Sequence, residues 1–224
     1  MIEDGGNSLS ESNLLVYSNI RNIYCVGRNY ASFAVEMGNK LSENPIVFVK
    51  PTHSLEPMNG NVVSLSGKHG EVNCEAELVL HIGKDYESGI QVNELVDKVT
   101  IGIDFTYRNV LNEVKQKGQP WLPAKGFRSS CTLGDFRAIT GEKDLQHDFK
   151  LKKNGETLQV GNVKQMMFTL QTLIEFIAEN YGLGKGDLIY TGTPEGIGKL
   201  QNNDTLEVLW GEESLGSCHI ALLS

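Results

Sequence analysis

Short apolar or alternating runs, broken by Gly, Asn and Asp, recur along most of this chain. They fall at residues 22–26, 45–49, 61–65, 75–82, 99–105, 150–153, 187–190, 205–209 and 217–223. Their length and punctuation are those of β-strands. Asn154-Gly155 separates two of them, and Asn-Gly readily takes the left-handed backbone of a tight hairpin turn. Three stretches read as helices: 30–37, 109–117 and 169–181. In the last, Leu170, Leu173, Ile174, Ile177 and Tyr181 make an apolar stripe at helical spacing, and Gly182 suits a C-cap. That stripe is simply core packing. Strands and helices do not alternate regularly, which argues against a doubly wound nucleotide fold. The pattern predicts a β-dominated α+β fold. Residues 1–18 are expected to be a flexible polar segment, and 19–224 a single domain with a small lid near its N-terminal end.

Composition narrows the function classes. A chain of 224 residues can bury a full core. The net charge of −8 and the lack of any basic stretch set against nucleic acid as a partner. Cys25, Cys74, Cys131 and Cys218 are scattered singly, so neither a zinc site nor a redox dithiol is indicated. They are expected to be buried free thiols in a reducing compartment. The N-terminus lacks the basic and apolar regions of a signal peptide, and no apolar run has bilayer-spanning length. The expectation is a cytoplasmic protein with no membrane partner.

Three carboxylates change this picture. Glu75 and Glu77 sit in Cys74-Glu75-Ala76-Glu77-Leu78, where strand geometry sends residues i and i+2 to one face. Asp104 interrupts the apolar run Ile101-Gly102-Ile103-Asp104-Phe105. Converging carboxylates suit a hard cation such as Mg²⁺, Mn²⁺ or Ca²⁺. Burying three like charges without one would be costly. The plainer alternative is a solvated strand face, on which Glu is ordinary.

Six segments in order resemble the fumarylacetoacetate hydrolase family over residues 22–223, closest to its short acylpyruvase and oxaloacetate decarboxylase branch. They are Tyr24-Cys25-Val26-Gly27-Arg28-Asn29-Tyr30, Pro45-Ile46-Val47-Phe48-Val49-Lys50-Pro51, Glu75-Ala76-Glu77-Leu78, Ile103-Asp104-Phe105-Thr106-Tyr107-Arg108-Asn109, Gly118-Gln119-Pro120-Trp121-Leu122-Pro123-Ala124-Lys125-Gly126-Phe127 and Asp187-Leu188-Ile189-Tyr190-Thr191-Gly192-Thr193-Pro194-Glu195-Gly196-Ile197-Gly198. The resemblance implies a mixed β-sandwich roll with a short helical lid at about residues 28–42. It implies Mg²⁺ or Mn²⁺ held by Glu75, Glu77 and Asp104, and Lys125 beside the substrate's charged oxygens. Thr193 would contact a substrate carboxylate, with Arg28 and Tyr30 near the entrance. For Arg28 a structural ion pair is the competing reading. A homodimer is also implied.

The chain departs from the family pattern on the lid. Family hydrolases carry a His three residues before a Glu there, and the pair activates the attacking water. Here Glu36 is retained, but the His position is Phe33. Phenylalanine cannot relay a proton, and no other His clearly replaces it. A second departure is Asn109, where Asp is common.

The resemblance implies chemistry through a metal-stabilised enolate. The leading expectation is cleavage of a 2,4-dioxo acid (an acylpyruvate) to pyruvate and a carboxylic acid, with Glu36 and Lys125 as catalytic groups. The loss of the lid His favours instead an oxaloacetate decarboxylase or a keto–enol isomerase, since neither needs an activated water. A non-catalytic 2-oxo acid binding protein is the third reading.

Overall fold

Val72–Ile82 is a strand of 11 residues, every one of them buried. A strand covered on both faces loses the alternation of a half-exposed one, so polar residues inside it stand out as sites. The computed structural model describes residues 16–31 and 42–224. In chain order the elements are β1 (Ile23–Gly27), β2 (Ile46–Lys50), β3 (Leu55–Pro57), β4 (Asn59–Ser66), β5 (Val72–Ile82), α1 (Val92–Leu95), β6 (Val96–Tyr107), α2 (Arg108–Gln116), α3 (Leu122–Lys125), β7 (Cys131–Leu133), β8 (Arg137–Ala138), β9 (Phe149–Lys153), β10 (Glu156–Gly161), α4 (Leu170–Tyr181), β11 (Leu188–Tyr190), β12 (Gly198–Lys199), β13 (Thr205–Trp210) and β14 (Glu213–Leu223).

The strands form two mixed sheets. The larger runs β2-β1-β11-β5-β6-β7-β3, with β12 also on β5 and β8 on β6. The smaller runs β10-β9-β13-β14-β4. Parallel pairs (β1 with β11, β3 with β7, β14 with β4) sit among antiparallel ones. This is the β-dominated α+β roll expected from the sequence. The core lies between the sheets, with Leu78, Leu80, Ile101 and Ile103 from one and Leu151, Leu206 and Val208 from the other in one apolar cluster.

Local chemistry explains the elements. Thr169 caps α4 by accepting from the Thr172 N–H at 3.2 Å, and Gly182 closes it with φ of 83°. Leu170, Leu173, Ile174 and Ile177 are buried as the stripe predicts. Tyr181 is not; it lies over the edge of the core and stacks on Tyr24. Asn154 and Gly155 both take positive φ between β9 and β10, as the hairpin signal requires. The short strands β3, β7, β8 and β12 were not anticipated, because two or three residues carry no readable period.

The expected flexible segment 1–18 needs correction at its end. Residues 16–18 form a helical turn; Val16 is buried, and the Tyr17 hydroxyl donates to the Leu133 carbonyl at 3.2 Å. Residues 1–15 lie outside the described residues, as do 32–41 of the expected lid, with Phe33 and Glu36. All four cysteines are free and buried. No helix among the described residues is long and apolar enough to cross a membrane.

Candidate active site

Strand register builds the site. β5 and β6 pair antiparallel with Glu75 opposite Asp104 and Glu77 opposite Gly102. Glu75 and Glu77 share one face of β5, and Asp104 meets them from β6. One oxygen from each of the three lies within 4.8 Å of the others, and all three side chains are buried. The solvated-face alternative is therefore excluded by burial.

Each carboxylate is held differently. Glu75 Oε1 accepts from Thr106 Oγ1 at 3.1 Å and from Arg108 Nη2 at 3.2 Å, and Glu75 Oε2 accepts from Lys125 Nζ at 2.8 Å. Asp104 Oδ2 accepts from the same Lys125 ammonium at 2.8 Å, while Lys50 lies 2.8 Å from its Oδ1. Glu77 has no ion pair among the described residues and accepts from the Gly192 N–H at 2.7 Å. Burial, and then the Asp104 charge, push the Glu77 carboxyl well above the usual range. Burial opposes charge on Lys125, but Asp104 and Glu75 outweigh it and hold the ammonium above the ordinary lysine range.

Lys125 reaches the triad from α3, a single turn with Pro in its first positions. Its carbonyl accepts from Ser130 Oγ at 2.9 Å and from the buried Lys50 ammonium, which also donates to the Ser130 carbonyl at 3.0 Å. Thr193 is buried and lines the same cavity. Its loop is latched by Gln159 of β10. The amide donates to Thr193 Oγ1 and to the Pro194 carbonyl, each at 3.0 Å, and accepts from the Ala76 N–H at 2.8 Å. Gly192 needs to be glycine: its φ is 101°, and a Cβ there would lie 2.8 Å from Asn29 Cβ.

Arg28 lines the cavity with a left-handed backbone, φ 61°. Tyr30 is placed differently from the entrance position expected. It is fully buried in the core and absent from the described cavity lining. Asn109 Oδ1 accepts from the Glu71 N–H at 2.8 Å, so it caps a loop rather than joining the triad. Lys50, Arg108, Lys115 and Gln159 belong to the site's surroundings and were missed from the sequence. A lysine ending an apolar strand was the available signal for Lys50.

The donor set suits a divalent cation. Three carboxylate oxygens within 4.8 Å of one another can share one ion at the roughly 2.0–2.6 Å bonds of Mg²⁺, Mn²⁺ or Ca²⁺. Glu77, buried beside Asp104 and making no direct ion pair among the described residues, is where added positive charge would relieve most strain.

Fold and site together define a β-roll enzyme built around a buried, all-oxygen acidic triad and a lysine. The chain belongs to the fumarylacetoacetate hydrolase family: the fumarylacetoacetate (FAA) hydrolase C-terminal pattern matches residues 22–221. Oxaloacetate tautomerase YcgM of Escherichia coli (strain K12) is 33% identical over 201 residues, covering 88% of this chain and 91% of its own. A mitochondrial oxaloacetate tautomerase of Mus musculus is 36% identical over 192 residues, covering 84% and 86%. The crystal structure of fumarylpyruvate hydrolase from Pseudomonas aeruginosa in complex with Mn²⁺ and pyruvate superposes with a TM-score of 0.84 at 29% identity, covering 91% of each chain. These relatives are enzymes, and this chain is an enzyme of their family.

Proposed function

We propose that the chain is a divalent-metal-dependent tautomerase that interconverts the enol and keto forms of an oxaloacetate-like 2-oxo acid. The observation that carries this is the cavity wall. Beyond the triad, its described ionisable groups are Arg28, Arg108, Lys115 and Lys125, with no histidine. Among the described residues such a wall offers proton donors and anion anchors, and where family hydrolases carry the lid His the sequence has Phe33. Tautomerisation moves one proton from the enol oxygen to C3 and consumes no water, so it fits what is present.

The chain's own groups divide the work. Thr193, which lines the cavity beside the triad, holds the carboxylate of the 2-oxo end. The Lys125 ammonium, which Asp104 and Glu75 hold charged, stabilises the developing enolate oxygen; the proton that leaves the enol hydroxyl is matched by the one gained at C3, so no net proton is used. Phe48 lies beneath Lys125, its ring centroid 5.4 Å from the ammonium, and helps fix its direction. When bound at Glu75, Glu77 and Asp104, Mg²⁺ or Mn²⁺ would polarise the keto oxygen and lower the cost of negative charge there. The two oxaloacetate tautomerases support this choice of reaction. Decarboxylation of oxaloacetate also needs no attacking water.

Hydrolytic cleavage of a 2,4-dioxo acid, the leading expectation from the sequence, stands second. It is favoured by the Pseudomonas fumarylpyruvate hydrolase and by retention of Glu36. Purified protein with Mg²⁺, Mn²⁺ or EDTA, assayed for oxaloacetate enol-to-keto conversion, oxaloacetate decarboxylation and acetylpyruvate loss, decides between them. Metal-dependent tautomerisation outpacing both other reactions supports the proposal. Faster acetylpyruvate cleavage replaces it with the hydrolase reading, and tight binding without turnover overturns both.

A further inference from the structure

We propose that Lys115, together with Arg28, holds the second carboxylate of a dicarboxylic 2-oxo acid and thereby sets a preference for dianionic over singly charged substrates. This rests on the reading just given and names the far end of that same site.

The cavity holds more positive charge than its acids use. Of its lining cations, Lys125 and Arg108 are paired to the triad. Arg28 and Lys115 make no ion pair with any described residue. The Arg28 Nε is buried and without a hydrogen-bond partner. Its backbone sits in the left-handed region, which is uncommon for a residue with a Cβ and is often kept where function requires it.

Lys115 comes from a different element of the cavity lining. It lies on α2 and carries its ammonium 4.8 Å from the centre of the Trp121 ring. Burial, and then the charges of Arg28, Arg108 and Lys125, lower its pKa to about 8. Cations gathered this closely repel one another, and a bound anion converts that cost into affinity. With the 2-oxo end of a substrate at the triad and Thr193, the remaining charge faces the other end of the molecule. The competing account is that Lys115 only lays its stem on Trp121. That account predicts no discrimination by substrate charge.

The test compares two substrates that differ at one end. Oxaloacetate and its 4-ethyl ester share the 2-oxo carboxylate, but the ester lacks the second one. Enol-to-keto conversion of both is followed with Mg²⁺ for wild type, Lys115→Met and Lys115→Arg. Methionine keeps an apolar stem against Trp121. Loss of a charge-assisted contact lowers the oxaloacetate-to-ester ratio of kcat/KM on the order of tenfold, mainly through KM, and Lys115→Arg restores much of it. Equal losses on both substrates, or an unchanged ratio, overturn the proposal while leaving the tautomerase reading in place. If Lys115→Met fails to fold, Arg28→Gln must show the same selective loss. If wild type turns over neither compound and the Mn²⁺-treated protein does not bind oxalate, the function reading falls and takes this proposal with it.

Discussion

The Lys50 ammonium lies 2.8 Å from Asp104 Oδ1, with side-chain exposures of 0% and 1%. The same ammonium donates to both oxygens of Ser130 and to the Lys125 carbonyl, so one buried charge ties β2, β6 and the Lys125 turn together. Removing one partner of a buried pair leaves an uncompensated charge, at a cost of ~3 kcal/mol or more. Lys50→Met is therefore expected to lower the unfolding free energy by that amount, read as a lower urea midpoint, and to reduce turnover as Lys125 loses its seat. A midpoint equal to wild type would count against this role.

Glu77 is expected to destabilise the metal-free protein. Burial and the Asp104 charge raise its folded-state pKa above the unfolded value. The folded protein therefore binds the extra proton, and stability is lost as pH rises from the ordinary glutamate range towards the raised value. Glu77→Gln removes that penalty and can still accept from Gly192. In EDTA at neutral pH its Tm is expected to exceed that of wild type, with the gap closing in acid. In Mn²⁺ the wild type should gain Tm and the variant should not. Thermal melts in both buffers check the pair of effects.

Gln159 makes a further target. Gln159→Leu leaves the Ala76 N–H and Thr193 Oγ1 without the amide they share. An unpaired buried group costs ~1–3 kcal/mol, and the loop carrying Thr193 loses its latch. The expected signature is a higher KM with a smaller change in kcat. A pure stability loss with unchanged KM would show that the latch does not position Thr193.

Lys115 predicts a pH limb. With its pKa lowered to about 8, it is charged below that pH and neutral above it. The kcat/KM for oxaloacetate should fall as pH rises through about 8. The facing groups that set this value are Arg28, Arg108, Lys125 and Glu75, and Lys115→Met should abolish the limb.

Phe33→His restores the pattern of family hydrolases beside Glu36. General acid–base groups contribute about 10²–10⁴-fold, so acetylpyruvate cleavage is expected to rise by at least the lower figure. A variant that folds yet gains no hydrolysis would show that more than this side chain separates the two chemistries.

The triad was legible because strand geometry is local. Period two put Glu75 and Glu77 on one face, and a charge inside the apolar run marked Asp104. The Thr169–Gly182 helix and the Asn154–Gly155 hairpin were legible for the same reason: caps and turns are written in adjacent residues. The counter-charges were not. Lys50 reads as the polar end of a strand, and nothing near it in sequence says that Asp104 lies opposite. Lys125 owes its position to a four-residue turn too short for any period. Gln159 looks like a solvent-facing residue of a hairpin strand until the second sheet is folded onto the first. The parallel pairing of Ile23 with Leu188 joins distant parts of the chain and has no local signal.

The Gln159 latch makes the smaller sheet sensitive to insertions in a graded way. β10 lends an amide to a loop of the larger sheet, although none of its residues lines the cavity. A β-bulge between Thr157 and Gln159 already sets the register that aims the amide at Thr193, so one further residue added there would turn it away. The same addition at the Asn154–Gly155 tip could be absorbed by the turn. Variation in chain length should thus be tolerated at one end of this hairpin and be ruinous a few residues later.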